Sequence, residues 1–306
     1  LRTGTAAAFA YRWIRPQTRT DSAALVGALL YAFSGFQACN IVFQHFHDVT
    51  AFFPFYLLAF DRFVESLERR RVQNRAARAV PVSKEEAWRR RSAGADWEEG
   101  AAAEEGSLQE NGRARGLPRM YPFILMTAWM AVINYYFFFG QVVFLILYYL
   151  VRWGIRHAKA EEIRSLAAQA LQITAGGAAG LALSAFFLVQ SISGIQGNTR
   201  ISKVLEGYDL LVYPDSTTPL AILKSLFMVP DLIARGTMFS SDHIRNGSLA
   251  FYLPCFAMAG VFAFFFLHRR SWKKTLLLVL GGMAFVPALC SVFSAFNANF
   301  YVRWFY

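Results

Sequence analysis

The sequence predicts an all-α membrane protein whose chain crosses the bilayer several times. Hydrophobic residues make up 56% of the sequence and charged residues 17%, whereas about a quarter of the residues in an average soluble domain are charged. Four nearly uncharged runs approach the ~20 residues with which a helix crosses a bilayer; they are residues 22–43, 165–189, 248–267 and 275–294. The alternating pattern of a membrane barrel is missing, and lipid offers no partner to an exposed backbone amide, so we expect helices.

The first 64 residues predict one partial and two complete membrane spans. Residues 1–13 read as the end of a span, complete spans follow at 22–43 and 49–64, and the turn between them is "QHFHD" at 44–48. The chain opens on Leu1 and stops within an aromatic stretch, so the sequence predicts a helical bundle that is truncated at both ends.

Residues 65–119 form a polar insertion that is rich in Arg, Glu, Ala and Gly. We expect a frayed helix followed by disorder, because the later part has too few apolar residues to bury. The insertion predicts a solvated cytoplasmic linker, and contact of its arginines with anionic lipid headgroups is the alternative.

Residues 120–189 predict further transmembrane helices. The apolar stretch 120–151 is long for one span and short for two, so we expect a tight pair of short helices that turns at Asn134, Tyr135 and Tyr136. A complete span follows at 165–189.

The basic residues of the short loops predict the orientation of these spans, since cytoplasmic loops carry an excess of Lys and Arg. The stretch "HRRSWKK" at 268–274 and the basic segment 152–164 are therefore expected in the cytoplasm. Residues 190–247, whose acidic and basic residues balance, then form an extracytoplasmic loop, with an interfacial helix at 218–231. Residues 248–306 predict the last transmembrane helices and the start of an outer loop. This orientation places 44–48 and 134–136 on the same, outer surface.

Charge and cysteine content exclude several function classes. The net charge is +11, but the Lys and Arg lie in loops beside the spans and do not form a folded basic domain, so we expect membrane lipids and no nucleic acid as partners. Cys39, Cys255 and Cys290 lie in separate apolar runs without metal-ligand spacing, which predicts buried free thiols. No phosphate-binding loop, dinucleotide fingerprint or nucleophile elbow occurs, which disfavours ATP-driven transport and soluble cofactor chemistry.

Two histidines and an aspartate lie together between two apolar runs. Asp48 is a candidate catalytic base, and His45 and His47 are candidate substrate-binding residues beside it. Two histidines two positions apart with a neighbouring carboxylate also suit a divalent cation. A polar turn at the membrane surface is the structural alternative, and whether a metal is needed stays open.

Further candidate substrate-binding residues lie at the same predicted level. Asn134 either joins the two short helices or faces a cavity, and Tyr135 and Tyr136 either stack against a sugar or belong to the interfacial aromatic belt. Arg200 and Arg303 each present a planar fork that matches phosphate oxygens, while contact with lipid phosphate is the alternative.

Five stretches of the chain have a familiar order: "ALVGALLYAFSGF" (24–36), "FFPFYLLAFDRFVE" (52–65), "INYYFFFGQVVFLILYYL" (133–150), "GLALSAFFLVQSISGIQGNTR" (180–200) and "NANFYVRWFY" (297–306). Taken together, they resemble the bacterial YfhO family of multi-span membrane proteins. The resemblance covers nearly the whole chain except the 65–119 insertion. It implies a GT-C-like fold in the cell membrane of a bacterium.

The resemblance also implies a reaction. Enzymes of the GT-C type transfer a sugar from a polyprenyl-phosphate donor, and the expected acceptor is a cell-envelope polymer such as a teichoic acid, on the extracytoplasmic face. Such enzymes carry their catalytic acid in the first outer loop, which would precede Leu1, so the resemblance gives Asp48 a supporting role. No organic cofactor is implied.

Two other functions fit the same pattern of spans. A transporter or flippase of lipid-linked saccharides would share the spans and the outer polar residues, but it predicts ionisable residues near mid-membrane and broken helices in two repeated halves. A non-catalytic membrane subunit is the third possibility.

Overall fold

The computed structural model describes residues 1–40, 43–79, 120–154, 160–195, 204–231, 249–254, 257–267 and 271–296, and these residues contain helices and no strand. The helices are α1 (Arg2–Ile14), α2 (Asp21–Ala32), α3 (Gly35–Cys39), α4 (Gln44–Ala79), α5 (Tyr121–Ile133), α6 (Tyr135–Tyr149), α7 (Ala160–Leu183), α8 (Ala185–Ile195), α9 (Thr218–Phe227), α10 (Ala257–Leu267), α11 (Trp272–Phe285) and α12 (Pro287–Ser291). Short 3₁₀ segments lie at Arg15–Gln17, Gly207–Leu210 and Val292–Ser294, and a π-helical turn lies at Leu150–Gly154. The predicted all-α class is confirmed for this part of the chain.

Three of the described helical segments are long and apolar enough to cross a membrane. They are Asp21–Cys39, Tyr135–Gly154 and Arg164–Leu183. A fourth is reached if Trp272–Phe285 and Pro287–Ser294, which meet at an angle of 107°, are taken as one broken span. The chain therefore has the helices of a membrane protein.

The last described span differs from its prediction. The sequence predicts one continuous helix at 275–294. In the structure, α11 and α12 meet at Val286, whose backbone is extended with φ −113° and ψ 111°. Pro287 explains the break, because a proline disfavours the helical conformation of the residue before it and has no N–H to donate. In the run 248–267, the described residues 250–254 are not helical, and helix α10 begins at Ala257, three residues after Pro254.

Helix α4 is longer than the span predicted at 49–64. It begins at Gln44, so the residues expected to form a turn are its first turn, and it continues to Ala79 at the start of the polar insertion. At 1.5 Å per residue its 36 residues extend over about 54 Å. Residues 80–119, the rest of the insertion, lie outside the described residues.

Side-chain contacts fix the directions of the helices around α4. Arg2 contacts Asp48 and Trp13 contacts Asp61, so α1 runs parallel to α4. Phe46 contacts Phe137, and Tyr148 at the other end of α6 also bonds to Asp61, so α6 is parallel to α4 as well. Helix α5 runs the opposite way. We call the two ends of this bundle the Asp48 end and the Asp61 end.

The bundle core consists mainly of aromatic rings from α4, α5 and α6. Tyr56, Phe60 and Phe63 of α4 are fully buried, and the ring of Phe123 in α5 lies within 5.8 Å of each of the three. The Tyr56 hydroxyl bonds to the Thr127 hydroxyl at 3.1 Å. These contacts hold α4 against α5, and offset or tilted aromatic pairs of this kind add stability beyond the area that they bury.

Other helices present an apolar surface to the outside. Leu25 and Leu29 of α2 are 52% and 42% exposed, and Leu171 and Leu181 of α7 are 71% and 40% exposed. Monomeric soluble proteins rarely expose such continuous apolar surface, whereas lipid-facing helices require it. The surface therefore agrees with the membrane spans inferred from helix length.

Candidate functional site

Asp48 lies in the first turns of α4 and forms an ion pair with Arg2 of α1. Arg2 Nε donates to Asp48 Oδ1 at 2.6 Å, and Arg2 Nη2 donates to Asp48 Oδ2 at 3.3 Å. The side chains are 42% and 32% exposed, respectively. This two-pronged geometry orients the carboxylate, and its partial exposure leaves it accessible from the Asp48 end of the bundle. Arg2 was not among the residues selected from the sequence.

The two histidines beside Asp48 occupy different environments. His45 is exposed, and its ring contacts the Phe46 ring at a centroid distance of 4.4 Å. His47 is only 7% exposed. Side chains two positions apart on a helix do not face each other, so the structure brings one histidine into the bundle and leaves the other at its surface. Among the described residues, no group of three or more His, Cys, Asp or Glu side chains could hold a metal ion.

His47 is held as a neutral imidazole by its surroundings. Burial lowers its pKa below the usual value, and this effect exceeds the opposing hydrogen bonds to the Gln37 and Asn40 backbones and the attraction of the Asp48 carboxylate. Its Nε2 atom is buried and has no hydrogen-bond partner among the described residues. Because the neutral ring already donates its one N–H to the Gln37 backbone, its other nitrogen can only accept a hydrogen bond.

The break between α5 and α6 is organised by Asn134. Its side-chain oxygen accepts hydrogen bonds from the backbone N–H groups of Tyr136 at 3.1 Å and Phe137 at 3.3 Å. Asn134 is therefore the N-cap of α6, which satisfies two donors that would otherwise lie unpaired at the helix start. Tyr135 is 38% exposed and Tyr136 is half-buried, so Tyr135 is the more accessible of the two candidate aromatic residues.

The start of α4 and the start of α6 lie at the same end of the bundle. The Phe46 and Phe137 rings have centroids 4.9 Å apart, and the Phe36 ring of α3 lies 6.4 Å from Phe137. The predicted candidates of 45–48 and 134–136 thus share the Asp48 end. Which membrane face this end occupies stays a prediction, and Arg200 and Arg303 lie outside the described residues.

A second group of charged side chains lies at the opposite end and was missed in the sequence. Arg152 Nη1 lies 2.7 Å from Asp61 Oδ1, while Trp13 Nε1 and the Tyr148 hydroxyl each donate to Asp61 Oδ2 at 3.1 Å. Arg152 Nη2 also lies 3.4 Å from Glu65. Asp61 is buried and belongs to the apolar stretch "LLAFDRFVE". An acidic residue inside a span is a recognised signal of function or pairing.

Arg152 is also enclosed by aromatic rings. Its guanidinium carbon lies 4.4 Å from the Trp153 ring, 5.3 Å from the Trp272 ring and 5.5 Å from the Tyr148 ring. The planar, weakly hydrated guanidinium suits such an environment better than an ammonium group. The sequence had marked Arg152 as an orientation signal, and the structure gives it a buried partner.

Comparisons with known proteins do not assign the chain to a family. No protein-family model, no curated protein and no solved structure matches the chain. The YfhO resemblance rests on the five sequence stretches alone, and the family, the GT-C-like fold and the reaction stay predictions.

Proposed function

We propose that the chain belongs to a bacterial membrane glycosyltransferase that moves a sugar from a polyprenyl-phosphate donor to a cell-envelope polymer such as a teichoic acid. The observation that supports it is the half-exposed Asp48 carboxylate, paired with Arg2 at one end of an apolar helical bundle. A polyprenyl-phosphate donor keeps its tail in the bilayer and its sugar at the interface, so its enzyme needs a carboxylate and a cation at that level. The proposed location is the extracytoplasmic face.

The chemistry assigns a role to each partner of this ion pair. The resemblance implies a supporting role for Asp48, but its accessible carboxylate beside Arg2 leads us to assign it as the base. The acceptor hydroxyl attacks the anomeric carbon, its proton passes to the Asp48 carboxylate, and the bond between the sugar and the phosphate oxygen breaks. Arg2 balances the charge of the departing polyprenyl phosphate, as Arg200 and Arg303 would in addition. In the resting state Arg2 covers Asp48, so the donor phosphate has to attract the guanidinium before Asp48 can accept a proton.

A transfer assay with a matched pair of variants tests this role. Membranes that contain the protein receive labelled polyprenyl-phosphate sugar, and label in wall polymer is measured. Asp48→Asn should lower transfer by about 100-fold or more, the usual contribution of a general base. Asp21→Asn is the control, because Asp21 is an exposed carboxylate that is also paired with an arginine, Arg15, at the other end of the bundle. Equal transfer by both variants would disprove the role of Asp48.

Surface labelling tests the proposed location. His45→Cys and Tyr135→Cys, in a background whose own cysteines are replaced by alanine, should react with an impermeant thiol reagent from outside the cell. Arg69→Cys should react only after the membrane is opened, because 24 positions of helix separate it from His45, about 36 Å against a hydrocarbon core of about 30 Å. Labelling of position 45 only from the inside would exclude an extracytoplasmic site at the Asp48 end.

One observation favours a transporter of lipid-linked saccharides as the second candidate. Asp61 lies 13 positions after Asp48 on α4, about 20 Å deeper along the helix, and it is paired with Arg152 inside the bundle. Buried ionisable residues of this kind mark substrate or ion pathways in many transporters. Movement of intact lipid-linked sugar across vesicles, without transfer of label to polymer, would favour this candidate over the transferase.

A further inference from the structure

Every acidic side chain described at the Asp61 end lies close to an arginine. The carboxylates are those of Asp21, Asp61, Glu65 and Glu68, and their partners are Arg15, Arg152 and Arg71. The two contacts with Arg152 are at 2.7 and 3.4 Å, and the contact of Glu68 with Arg71 is at 3.7 Å. These carboxylates therefore already have cationic partners.

Six other cations at this end have no ion-pair partner among the described residues. They are Arg12, Arg19, Arg62, Arg69, Arg164 and Lys273, which we name the basic rim. The arginines are exposed, and Lys273 is half-buried. The six side chains come from four helices and from the connection between α1 and α2, so they are not confined to one helix face.

The basic rim begins at the level of Asp61. Trp13 donates to Asp61 at 3.1 Å, so Arg12 and Arg62, the direct sequence neighbours of these two residues, lie at this level. Arg69 lies about two helical turns further along α4. The rim therefore extends outward from the level of the buried ion pair.

The remaining arginines of the rim lie at the same end. Gln169 of α7 donates to Glu68 of α4 at 2.8 Å, and Arg164 precedes Gln169 in the first part of α7. Arg19 lies in the short connection that joins the end of α1 to the start of α2. Both arginines are therefore on the outer side of the Asp61 level.

Tryptophans mark this level as a membrane interface. The Lys273 ammonium lies 5.7 Å from the centroid of the Trp272 ring, and both Trp272 and Trp13 are half-buried. Tryptophan is enriched where lipid headgroups meet water. The apolar part of α4 also ends here, since charged residues become frequent after Asp61. The basic rim thus lies where the bundle leaves the hydrocarbon.

The opposite end of the bundle has the opposite charge balance. The Gly35 N–H of α3 donates to the Tyr252 carbonyl at 2.6 Å, and the Pro230 ring lies beside Gly35, which places the segment around Pro230 at the Asp48 end. The described carboxylates of this end and of the segment 204–231 are Asp48, Glu206, Asp209, Asp215 and Asp231, and the cations are Arg2 and Lys224. Cations in excess of carboxylates are therefore a property of the Asp61 end.

We propose that the basic rim binds the phosphate groups of anionic phospholipids in the leaflet at the Asp61 end. Lysine and arginine side chains close to an anionic membrane surface are attracted to it, and the attraction falls off within a Debye length. Cations on several helices at one level suit a plane of headgroups, whereas an acidic protein or a nucleic acid would require them on one face. The inference does not depend on the proposed reaction.

Thermal unfolding of the purified protein in two kinds of bicelle tests the inference. One contains phosphatidylcholine alone, and in the other part of it is replaced by phosphatidylglycerol. The variant is Arg12→Gln/Arg19→Gln/Arg164→Gln, which removes three exposed charges of the rim. The matched control is Arg12→Lys/Arg19→Lys/Arg164→Lys, which changes the same positions and keeps the charges.

The expected result is a Tm increase that follows the charge of the rim. Phosphatidylglycerol should raise the wild-type Tm, because a lipid that binds the folded state stabilises it. The glutamine variant should lose about half of this increase, since three of the six rim cations are removed and each contributes a similar attraction. The lysine variant should keep the increase.

Two results with these variants would overturn the inference. An equal Tm increase in the wild type and the glutamine variant would show that the anionic lipid acts elsewhere. An equal loss of the increase in the glutamine and lysine variants would show that the effect does not come from charge.

Two measurements on the wild type decide the question if the glutamine variant does not fold. At about 1 M salt, where the Debye length is about 3 Å, the increase caused by phosphatidylglycerol should largely disappear; an unchanged increase would refute binding through charge. Inorganic phosphate, added to phosphatidylcholine bicelles and compared with sodium chloride of equal ionic strength, should not raise Tm. An increase as large as that caused by phosphatidylglycerol would make free phosphate the ligand instead of a lipid headgroup.

Discussion

Removal of Arg152 should destabilise the protein by several kcal/mol, because it leaves the buried Asp61 carboxylate without its ion-pair partner. Its guanidinium lies 2.7 Å from Asp61 Oδ1, and the two side chains are 16% and 9% exposed. Breaking a buried pair by removing one partner usually lowers the free energy of unfolding by about 3–5 kcal/mol, because the other charge stays buried without compensation. We therefore expect Arg152→Met to lower it by this amount.

Removal of both charges should lower the free energy of unfolding less than removal of Arg152 alone. In Asp61→Leu/Arg152→Met no buried charge is left over, but the Trp13 N–H and the Tyr148 hydroxyl lose the carboxylate oxygen to which they donate. At about 1 kcal/mol for each lost hydrogen bond, the double variant should be destabilised by about 1–3 kcal/mol. The effects of the two single substitutions on the free energy of unfolding should therefore not be additive. A double-mutant cycle measures this directly.

Denaturant-induced unfolding in bicelles provides the assay, with tryptophan fluorescence as the signal, because Arg152 contacts the rings of Trp153 and Trp272. Arg62→Met is the matched control, since Arg62 is the exposed neighbour of Asp61 on α4, and exposed substitutions usually change stability by less than about 0.5 kcal/mol. A loss below about 1 kcal/mol in Arg152→Met, or a double variant as unstable as the sum of the singles, would refute the reasoning.

Two further predictions concern the packing and capping of helices, and both are measured as changes in the free energy of unfolding. Gly180 of α7 lies against Thr127 of α5, so Gly180→Ala, whose new Cβ would lie 2.6 Å from the Thr127 Cβ, should destabilise the protein by about 1–3 kcal/mol. Gly177→Ala, whose Cβ would have nothing within 4 Å, should not, and equal effects would mean that α5 and α7 do not pack at Gly180. Asn134→Ala should cost about 1 kcal/mol through loss of the α6 N-cap, and Asn134→Asp should restore most of it; a neutral Asn134→Ala would show that the cap contributes nothing.

Composition and apolar run length predicted the helical class well, because both depend on summed properties of about twenty residues. The first and last residues of a helix depend on single residues, whose effect is small in a sum over about twenty residues. Pro287 divides the run 275–294, and α4 continues past residue 64 because 65–71 consist mostly of Glu, Leu and Arg, which are good helix formers. The polar turn expected at 44–48 is instead the first turn of α4.

The candidate site was predicted in part. The sequence identified Asp48 and His47 because polar residues between apolar runs are conspicuous, and Asn134 because an amide within bilayer depth requires a partner. Arg2 could not be found in this way. The partner of a charge is chosen by helix packing, not by sequence distance, and 46 positions separate Arg2 from Asp48.

The two ends of α1 constrain how Asp48 can become available. Helices α1 and α4 are joined by Arg2 and Asp48 at one end and by Trp13 and Asp61 at the other. A sliding movement of α1 along α4 would break both contacts, and the second is a part-buried hydrogen bond to a charged carboxylate, worth about 1.5–3 kcal/mol. Rotation of the Arg2 side chain alone breaks only a partly exposed pair, worth about 0–1 kcal/mol. Release of Asp48 is therefore a local change of the Arg2 side chain, which a single anionic group at the Asp48 end is sufficient to drive.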